Sequence, residues 1–239
     1  MDKEVVILDL DNTLVKGQSQ KLFISYLFKR KLFPARLYFK LLVWFVFYRL
    51  GIVREPERVM REAFRPFRGH SFDEIEGVVE DFFNAVLKNT VFADTGNLVE
   101  EHRRKRRVLV LATSVLEPIA RRTAKFLKIP NILSTRLELS GGVYTGEVEG
   151  KIIYGQNKLE ALKKFLEENE LRQGRKWAYS DHISDLNVLE LADFPSAVNP
   201  DPKLFQEARR RGWPVLLFKK TIPPINLKNI LTPGLGGQF

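Results

Sequence analysis

At 239 residues the chain is long enough for one domain with a large insertion or for two small domains, and its 44% hydrophobic and 28% charged residues are typical of a globular protein. The absence of cysteine excludes disulfides, thiol nucleophiles and cysteine-ligated zinc. The net charge of +10 favours anionic partners, namely phosphorylated metabolites, nucleic acid or an anionic membrane surface. Because the acidic start Met1-Asp2-Lys3-Glu4 leads directly into a strand pattern, we expect no signal peptide and a cytoplasmic location.

The first predicted element is a strand that ends in two carboxylates. Residues 5 to 8 are continuously apolar, which is typical of a strand buried on both faces of a parallel sheet. Asp9 and Asp11 follow it, at the edge where open α/β sheets bind their ligands. Two carboxylates this close repel each other unless a cation lies between them. The pair therefore predicts a site for a hard metal ion.

The second region, from about residue 17 to 90, has helical patterns and no strand pattern, which predicts an inserted helical domain. Its middle contains an unbroken apolar run, residues 41 to 48, between Lys40 and Arg49. This run is well short of the roughly 20 residues that a membrane-spanning helix needs. Two interpretations stay open: a buried wall of the insertion or of a substrate pocket, and an interfacial helix that contacts a membrane or a partner.

From residue 91 strand and helix patterns alternate, which predicts βα units and a parallel sheet. We predict strands at 108–111, 131–134, 176–180, 195–198 and 213–218, helices at 117–128 and 156–169, and a hairpin over 136–148 with Gly141-Gly142 at its turn. The complete prediction is an α/β core of residues 1–16 plus 91–225, a helical insertion of residues 17–90, and an irregular tail of residues 226–239.

Polar residues suited to phosphate chemistry occur at the ends of two further strands and at the start of a helix. Thr113 and Ser114 come after the strand at 108–111, as a hydroxyl pair that leads into a helix. Lys158 lies near the start of the helix at 156–169, and Asp181 and Asp185 follow the strand at 176–180. With Asp9 and Asp11 these residues form a set of four acids, hydroxyls and a lysine.

The order of these motifs resembles that of the haloacid dehalogenase superfamily of phosphohydrolases. Asp9-Leu10-Asp11-Asn12-Thr13-Leu14 resembles its first motif, while Thr113, Lys158 and Ser180-Asp181-His182-Ile183-Ser184-Asp185-Leu186 resemble the second, third and fourth. The chain is most similar to the phosphoserine-phosphatase-like branch, because the helical insertion directly follows the first motif. Tyr144-Thr145-Gly146-Glu147-Val148-Glu149-Gly150 also precedes the lysine at that branch's spacing.

The resemblance covers residues 1–16 and 91–218. It implies an α/β fold with a doubly wound, Rossmann-like parallel sheet as its core and an inserted α-helical cap. The cap is expected to close over the site, exclude water and determine substrate choice.

The resemblance also implies catalytic roles for the carboxylates. Asp9 is the expected nucleophile and forms an aspartyl-phosphate. Asp11 is the expected acid that protonates the leaving oxygen and then the base that activates water. Mg²⁺ is expected to be held by Asp9, the backbone carbonyl of Asp11 and Asp181, with waters completing the shell.

The remaining site residues are expected to bind substrate or to orient other groups. Thr113 and Lys158 would bind phosphoryl oxygens, helped by Ser114. Gln18 stands where phosphoserine phosphatases carry an acidic residue for the substrate's ammonium group, so we place it in the substrate site. Asp185 is expected to orient metal-bound waters or Lys158 from the second coordination shell.

The expected function is therefore that of a Mg²⁺-dependent phosphomonoester phosphatase for a small phosphorylated metabolite, with a phosphoserine-like compound as one option. A lipid-phosphate phosphatase at a membrane surface and a phosphotransferase are alternatives, and peripheral membrane contact through the cap stays open. The alternative from another class is an inactive basic module that binds nucleic acid or a partner. Nucleic acid is disfavoured, because the basic run from His102 to Arg107 is interpreted as the last turn of a helix. The sequence leaves the oligomeric state open.

Overall fold

The fold is taken from a computed structural model, which describes residues 3–49 and 56–222. Seven strands occur in these ranges: β1 (Val5–Leu8), β2 (Val108–Leu116), β3 (Asn131–Ser140), β4 (Val143–Glu149), β5 (Lys176–Ser180), β6 (Phe194–Val198) and β7 (Val215–Leu216). The α-helices in the same ranges are α1 (Ser19–Lys29), α2 (Ala35–Arg49), α3 (Pro56–Phe64), α4 (Phe72–Ala85), α5 (Ala93–Arg104), α6 (Glu117–Leu127), α7 (Gln156–Glu168), α8 (Leu186–Leu191) and α9 (Pro202–Arg211). Short 3-10 turns cover Arg65–Phe67, Leu87–Thr90 and Ile183–Asp185.

The strands form one sheet in the order β4-β3-β2-β1-β5-β6-β7. Neighbouring strands are parallel except for the antiparallel β3–β4 pair. At the end of the central strand, Leu8 lies opposite Leu111 of β2 and Tyr179 of β5. This register brings the residues that follow β1 and β5, and the second half of β2, to one edge of the sheet.

The apolar core lies on both faces of the sheet, which explains why β1 is apolar at every position. Val6 and Leu8 belong to one buried cluster, and Val5 and Ile7 belong to the other. This alternation follows from the two-residue period of a strand. Helices α7, α8 and α9 cover one face, whereas α6 and the helices of the insertion contribute to the cluster on the other. The predicted α/β class with a doubly wound sheet is confirmed.

The insertion consists of α1 to α4 and joins the core through shared packing. Phe23 of α1 and Phe82 of α4 are buried with their ring centroids 5.0 Å apart, in the same cluster as Val6 and Leu8 of β1. Backbone hydrogen bonds also tie the insertion to β4, from the Gly69 amide to the Tyr144 carbonyl and from the Tyr144 amide to the His70 carbonyl, both at 2.9 Å. The apolar run at 41–48 lies in α2. The domain boundaries at 16/17 and 90/91 stay predictions.

Some predicted elements differ in length from those observed. β2 extends to Leu116 with a register shift between Ala112 and Leu116, so Thr113 and Ser114 lie inside the strand and not at a helix entrance as predicted. β3 is one continuous strand into the hairpin, and β7 is only two residues long. The predicted tail at 226–239 lies outside the described residues. Among the helices of the described ranges, none has both the length and the apolar character that a membrane crossing requires.

Candidate active site

A buried lysine joins two acidic residues at the carboxyl edge of the sheet. Lys158 projects from the first turn of α7, and its Nζ lies 2.9 Å from Asp9 Oδ1 and 2.7 Å from Asp185 Oδ2. The lysine and both carboxylates are buried. Because a buried charge is costly unless it is paired, the three groups are stable only as a set.

The electrostatics of this set keep the lysine charged. Burial favours the neutral amine, but Asp185 and Asp9 outweigh that effect and hold the pKa of Lys158 above its ordinary value. Burial raises the pKa of Asp9, and the ammonium group of Lys158 opposes this shift. Lys158 thus neutralises part of the negative charge around Asp9, which lets an anionic group approach that carboxylate.

Asp11 lies in the same pocket in a different environment. Its Oδ1 accepts a hydrogen bond from the Ser19 backbone amide, at 2.9 Å, in the first turn of α1. Burial raises the pKa of Asp11 to about 7, and the Ser19 hydrogen bonds oppose this shift. A carboxyl group with a raised pKa holds a proton more readily, which suits it to act as a general acid.

Asp181 is held in place by Asn12, a residue of the first motif for which the sequence analysis gave no role. Asn12 Nδ2 donates to Asp181 Oδ2 at 3.0 Å, and Asn12 Oδ1 accepts from the Gly17 amide at 3.0 Å. Asn12 adopts a φ of 54°, a left-handed conformation that asparagine tolerates better than most residues. Burial, followed by the nearby charge of Asp9, raises the pKa of Asp181.

Asp185 has one oxygen fully engaged and one without a partner. Oδ2 accepts from Lys158 and from Ser180 Oγ, the latter at 2.7 Å. Oδ1 is buried and has no hydrogen-bond partner among the residues that the structure describes. An unpaired buried carboxylate oxygen is costly, so it fits a site completed by a further donor such as a metal-bound water.

All the residues that the sequence analysis placed in the site line one pocket. They are Asp9, Asp11, Gln18, Thr113, Ser114, Lys158, Asp181 and Asp185. Thr113 is buried in the bulged part of β2, and its Oγ1 accepts from the Val115 amide at 3.3 Å. The Ser114 carbonyl accepts from Gln20 Nε2 at 3.0 Å, which ties β2 to α1. The structure brings these residues together, while the individual roles stay predictions.

The other wall of the pocket comes from the insertion and is mostly apolar. Its apolar lining residues are Ile24, Leu41, Trp44, Met60 and Ala63. Tyr154, from the loop before α7, and His182 also line the pocket. No sequence pattern assigned Met60, Ala63 or Tyr154 to the site, because their positions depend on how α3 and the β4–α7 loop pack. For Met60 and Ala63 the available signal was apolar residues at helical spacing, which does not distinguish a core residue from a pocket residue.

The donor set suits a Mg²⁺ ion. Asp9, Asp181 and the Asp11 carbonyl supply oxygen ligands, which Mg²⁺ prefers. Burial is the main cause that raises the pKa of Asp9 and of Asp181, and a bound cation would stabilise the ionised form of both carboxylates. No group of three or more His, Asp or Glu side chains in residues 3–49 and 56–222 forms a ready-made metal cluster. The predicted set requires only two side chains, because Asp11 contributes its carbonyl.

Several known proteins are similar to this chain in sequence or in fold. The model of the haloacid dehalogenase-like hydrolase family matches residues 6–190. A histidinol-phosphatase of Neisseria meningitidis serogroup C is 31% identical over 222 residues, which are 91% of this chain and 100% of the relative. A phosphoserine phosphatase of Mycobacterium tuberculosis is 28% identical over 88% of this chain and 70% of its own length. The crystal structure of a Bordetella pertussis protein of unknown function has a TM-score of 0.83 at 24% identity, with 90% of this chain and 99% of that one covered.

Proposed function

The chain belongs to the haloacid dehalogenase-like hydrolase family, and we propose that this phosphatase hydrolyses a small phosphomonoester with bound Mg²⁺ through an aspartyl-phosphate on Asp9. The observation that carries the proposal is the Lys158 ammonium group held between Asp9 and Asp185. It leaves Asp9 with reduced negative charge at the edge of a pocket that also contains Asp11 and Asp181. The requirements of phosphoryl transfer are an in-line nucleophile, an acid and positive charge.

The proposed first step transfers the phosphoryl group to the protein. An Asp9 carboxylate oxygen attacks phosphorus, the bond from phosphorus to the alcohol oxygen breaks, and the Asp11 carboxyl gives its proton to that oxygen. Lys158 and Thr113 bind the phosphoryl oxygens during the transfer. Bound Mg²⁺, held by Asp9, the Asp11 carbonyl and Asp181, would neutralise charge on the phosphoryl group.

The second step releases phosphate. The Asp11 carboxylate takes a proton from a water molecule, the water oxygen attacks phosphorus, and the bond to Asp9 breaks. Asp11 ends protonated and Asp9 ends as a carboxylate, so both residues regain their starting states. Burial raises the pKa of Asp11, which suits its carboxyl group to give a proton in the first step and to take one in the second.

The pocket wall supports a substrate whose alcohol portion carries little charge. The side chains that α1, α2 and α3 contribute to the described lining are apolar or neutral amides, with Gln20, Leu41 and Met60 as examples. An ammonium group there would meet the neutral amide of Gln18 in place of a carboxylate. Phosphoserine and histidinol phosphate, after which relatives are named, stay candidates, and the apolar wall favours a lipid phosphate as a second candidate.

Phosphate release from a panel of esters tests the proposal. The panel contains phosphoserine, histidinol phosphate, phenyl phosphate and a short-chain phosphatidic acid, each with Mg²⁺ and with EDTA. We expect Mg²⁺-dependent turnover, and a loss of about 10³-fold or more in Asp9→Asn, because an amide is a poor nucleophile. Asp94→Asn changes an exposed acid in α5 and should retain full activity.

Three results would contradict the proposal. If every ester were hydrolysed as fast with EDTA as with Mg²⁺, the reaction would not need the metal. Wild-type activity in folded Asp9→Asn protein would show that the reaction does not pass through an aspartyl-phosphate on Asp9. A product ester formed with an added alcohol, in place of free phosphate, would identify a phosphotransferase.

A further inference from the structure

The net positive charge of the chain is concentrated in one segment. Residues 12 to 54 contain nine Lys or Arg residues and no Asp or Glu, whereas the other 196 residues contain 30 basic and 29 acidic residues. The segment includes α1 and α2, the first two helices of the insertion. A field of one sign over a surface attracts a partner of the opposite sign.

The same segment carries an exposed apolar surface. Phe39, Val43 and Phe47 are 58%, 55% and 46% exposed, and we call them the outer face of α2. Their spacing of four residues places them on one side of the helix, while Leu41 on the other side is only 2% exposed. Leu32, in the loop before α2, adds a fourth apolar side chain at 53% exposure.

Basic side chains border the outer face. Arg36 and Lys40 lie on the same side of α2 by helical spacing, and both are exposed. Lys29, Arg30 and Lys31 are exposed at the end of α1, close to Leu32 in sequence. Glu62 lies 3.8 Å from Lys40, and Asp81 lies 3.2 Å from Arg30. Ion pairs as exposed as these are weak and leave the basic character of the surface intact.

We propose that the outer face of α2 docks on an anionic lipid bilayer. Phe39, Val43 and Phe47 would enter the boundary between headgroups and acyl chains, while Arg36 and Lys40 would contact lipid phosphates. A second copy of the chain fits this surface less well, because an isologous contact would bring together two borders that are each basic overall. Nucleic acid would complement the positive charge of this surface, but it offers no apolar environment for the aliphatic side chains of Val43 and Leu32.

Docking would place the active-site pocket beside the membrane. Leu41 and Trp44 of α2 line the pocket, and the outer face belongs to the same helix. The pocket would therefore lie within about one helix diameter, roughly 10 Å, of the lipid headgroups. The docking surface itself is independent of the catalytic residues.

Flotation of the full chain with vesicles tests the proposal. We expect the protein to float with phosphatidylcholine vesicles that contain about 30 mol% phosphatidylglycerol, but not with pure phosphatidylcholine, and to be released by high salt. Phe39→Ser combined with Phe47→Ser should lower the partition coefficient about tenfold or more. Arg36→Gln combined with Lys29→Gln should lower it about fivefold for each charge removed.

Matched controls come from α9, which covers the opposite face of the sheet. Phe205→Ser removes a phenylalanine that is 44% exposed, and Lys203→Gln with Arg209→Gln removes two exposed charges. Both controls should float like the wild type, and all variants should hydrolyse phenyl phosphate at the wild-type rate. Absence of flotation with anionic vesicles would overturn the proposal, as would equal losses in the α9 controls. Dimerisation or nucleic-acid binding through the outer face, without flotation, would also overturn it.

Discussion

At the scale of single residues, the site depends on side chains that hold the carboxylates apart as much as on the carboxylates themselves. Lys158 and Ser180 fix Asp185, and Asn12 fixes Asp181. The Lys158–Asp185 and Asn12–Asp181 contacts join different motifs, whereas the Ser180–Asp185 contact lies within the fourth motif. The four acids therefore have separate hydrogen-bond partners, while burial is the main cause that raises the pKa of Asp9, Asp11 and Asp181 alike.

Asn12 offers a direct test of this positioning. Asn12→Gly keeps the left-handed backbone conformation but removes the amide that donates to Asp181. We expect the Mg²⁺ concentration for half-maximal activity to rise about 10- to 100-fold, because Asp181 loses its orientation, while kcat at saturating Mg²⁺ changes less. A titration of activity against Mg²⁺ measures this shift.

Asn12→Ala is the companion variant, because it also lacks the amide and adds a backbone strain of about 1 kcal/mol at positive φ. It should show the same shift in Mg²⁺ dependence together with a lower free energy of unfolding. An unchanged Mg²⁺ requirement in Asn12→Gly would show that the amide does not position a metal ligand.

At the scale of secondary-structure elements, sequence periodicity predicted the limits of β1 and β5 well and those of β2 and β7 less well. β1 and β5 match their predicted limits, because a strand buried on both faces is recognisable from its own residues. β2 is longer than predicted, because its second half pairs with β3 across a register shift and is fixed by the hydrogen bond from Thr135 Oγ1 to the Ser114 carbonyl. That contact depends on a partner 21 residues away and leaves no local pattern.

The topology of the sheet explains why the predicted site residues lie in one pocket. The carboxyl ends of parallel neighbours share an edge, so Asp9 and Asp181 were predictable from strand positions alone. The residues of the pocket wall were not predictable in this way, because the positions of Met60 and Tyr154 depend on packing between the insertion and the core.

The start of α1 provides a prediction about substrate choice. Gln18 is the N-cap of this helix, lines the pocket and precedes a first turn without acidic residues. Gln18→Glu would place a carboxylate where it also complements the helix dipole, so the fold should tolerate it. We expect the ratio of kcat/KM for phosphoserine to that for phenyl phosphate to rise about tenfold, because the new charge attracts the ammonium group.

Gln206→Glu adds the same charge on the exposed surface of α9 and should leave this ratio unchanged. If Gln18→Glu also left it unchanged, Gln18 would not face the alcohol portion of the substrate.

At the scale of the whole molecule, the edge of the sheet opposite the active site is held together by a second polar network. Arg107 donates to Glu4 at 2.7 Å and lies over the Trp177 ring, with its guanidinium carbon 3.5 Å from the ring centroid. It also donates to His102 Nδ1 at 2.9 Å, while His102 Nε2 lies 2.9 Å from the Tyr179 hydroxyl. Because arginine has no acceptor, His102 must be neutral and must donate from Nε2 to Tyr179.

This network makes the stability of the fold depend on pH. Burial, followed by the charge of Arg107, lowers the pKa of His102 from 6.5 to about 4. Between these values the unfolded chain binds a proton at this site that the folded chain excludes, so folding loses stability as pH falls below 6.5. Relative to pH 7.5, the loss from His102 at pH 5 should be about 1–2 kcal/mol.

Urea unfolding of the wild type and of His102→Gln at both pH values isolates this contribution. The carboxylates of the active site, whose pKa values are raised, act in the opposite direction but are common to both proteins. The variant should be less stable than the wild type at pH 7.5, because the buried Tyr179 and Arg107 lose a well-placed partner. The gap should narrow by about 1–2 kcal/mol at pH 5, since glutamine does not titrate. A gap that stays constant between the two pH values would show that His102 is protonated alike in the folded and unfolded chains.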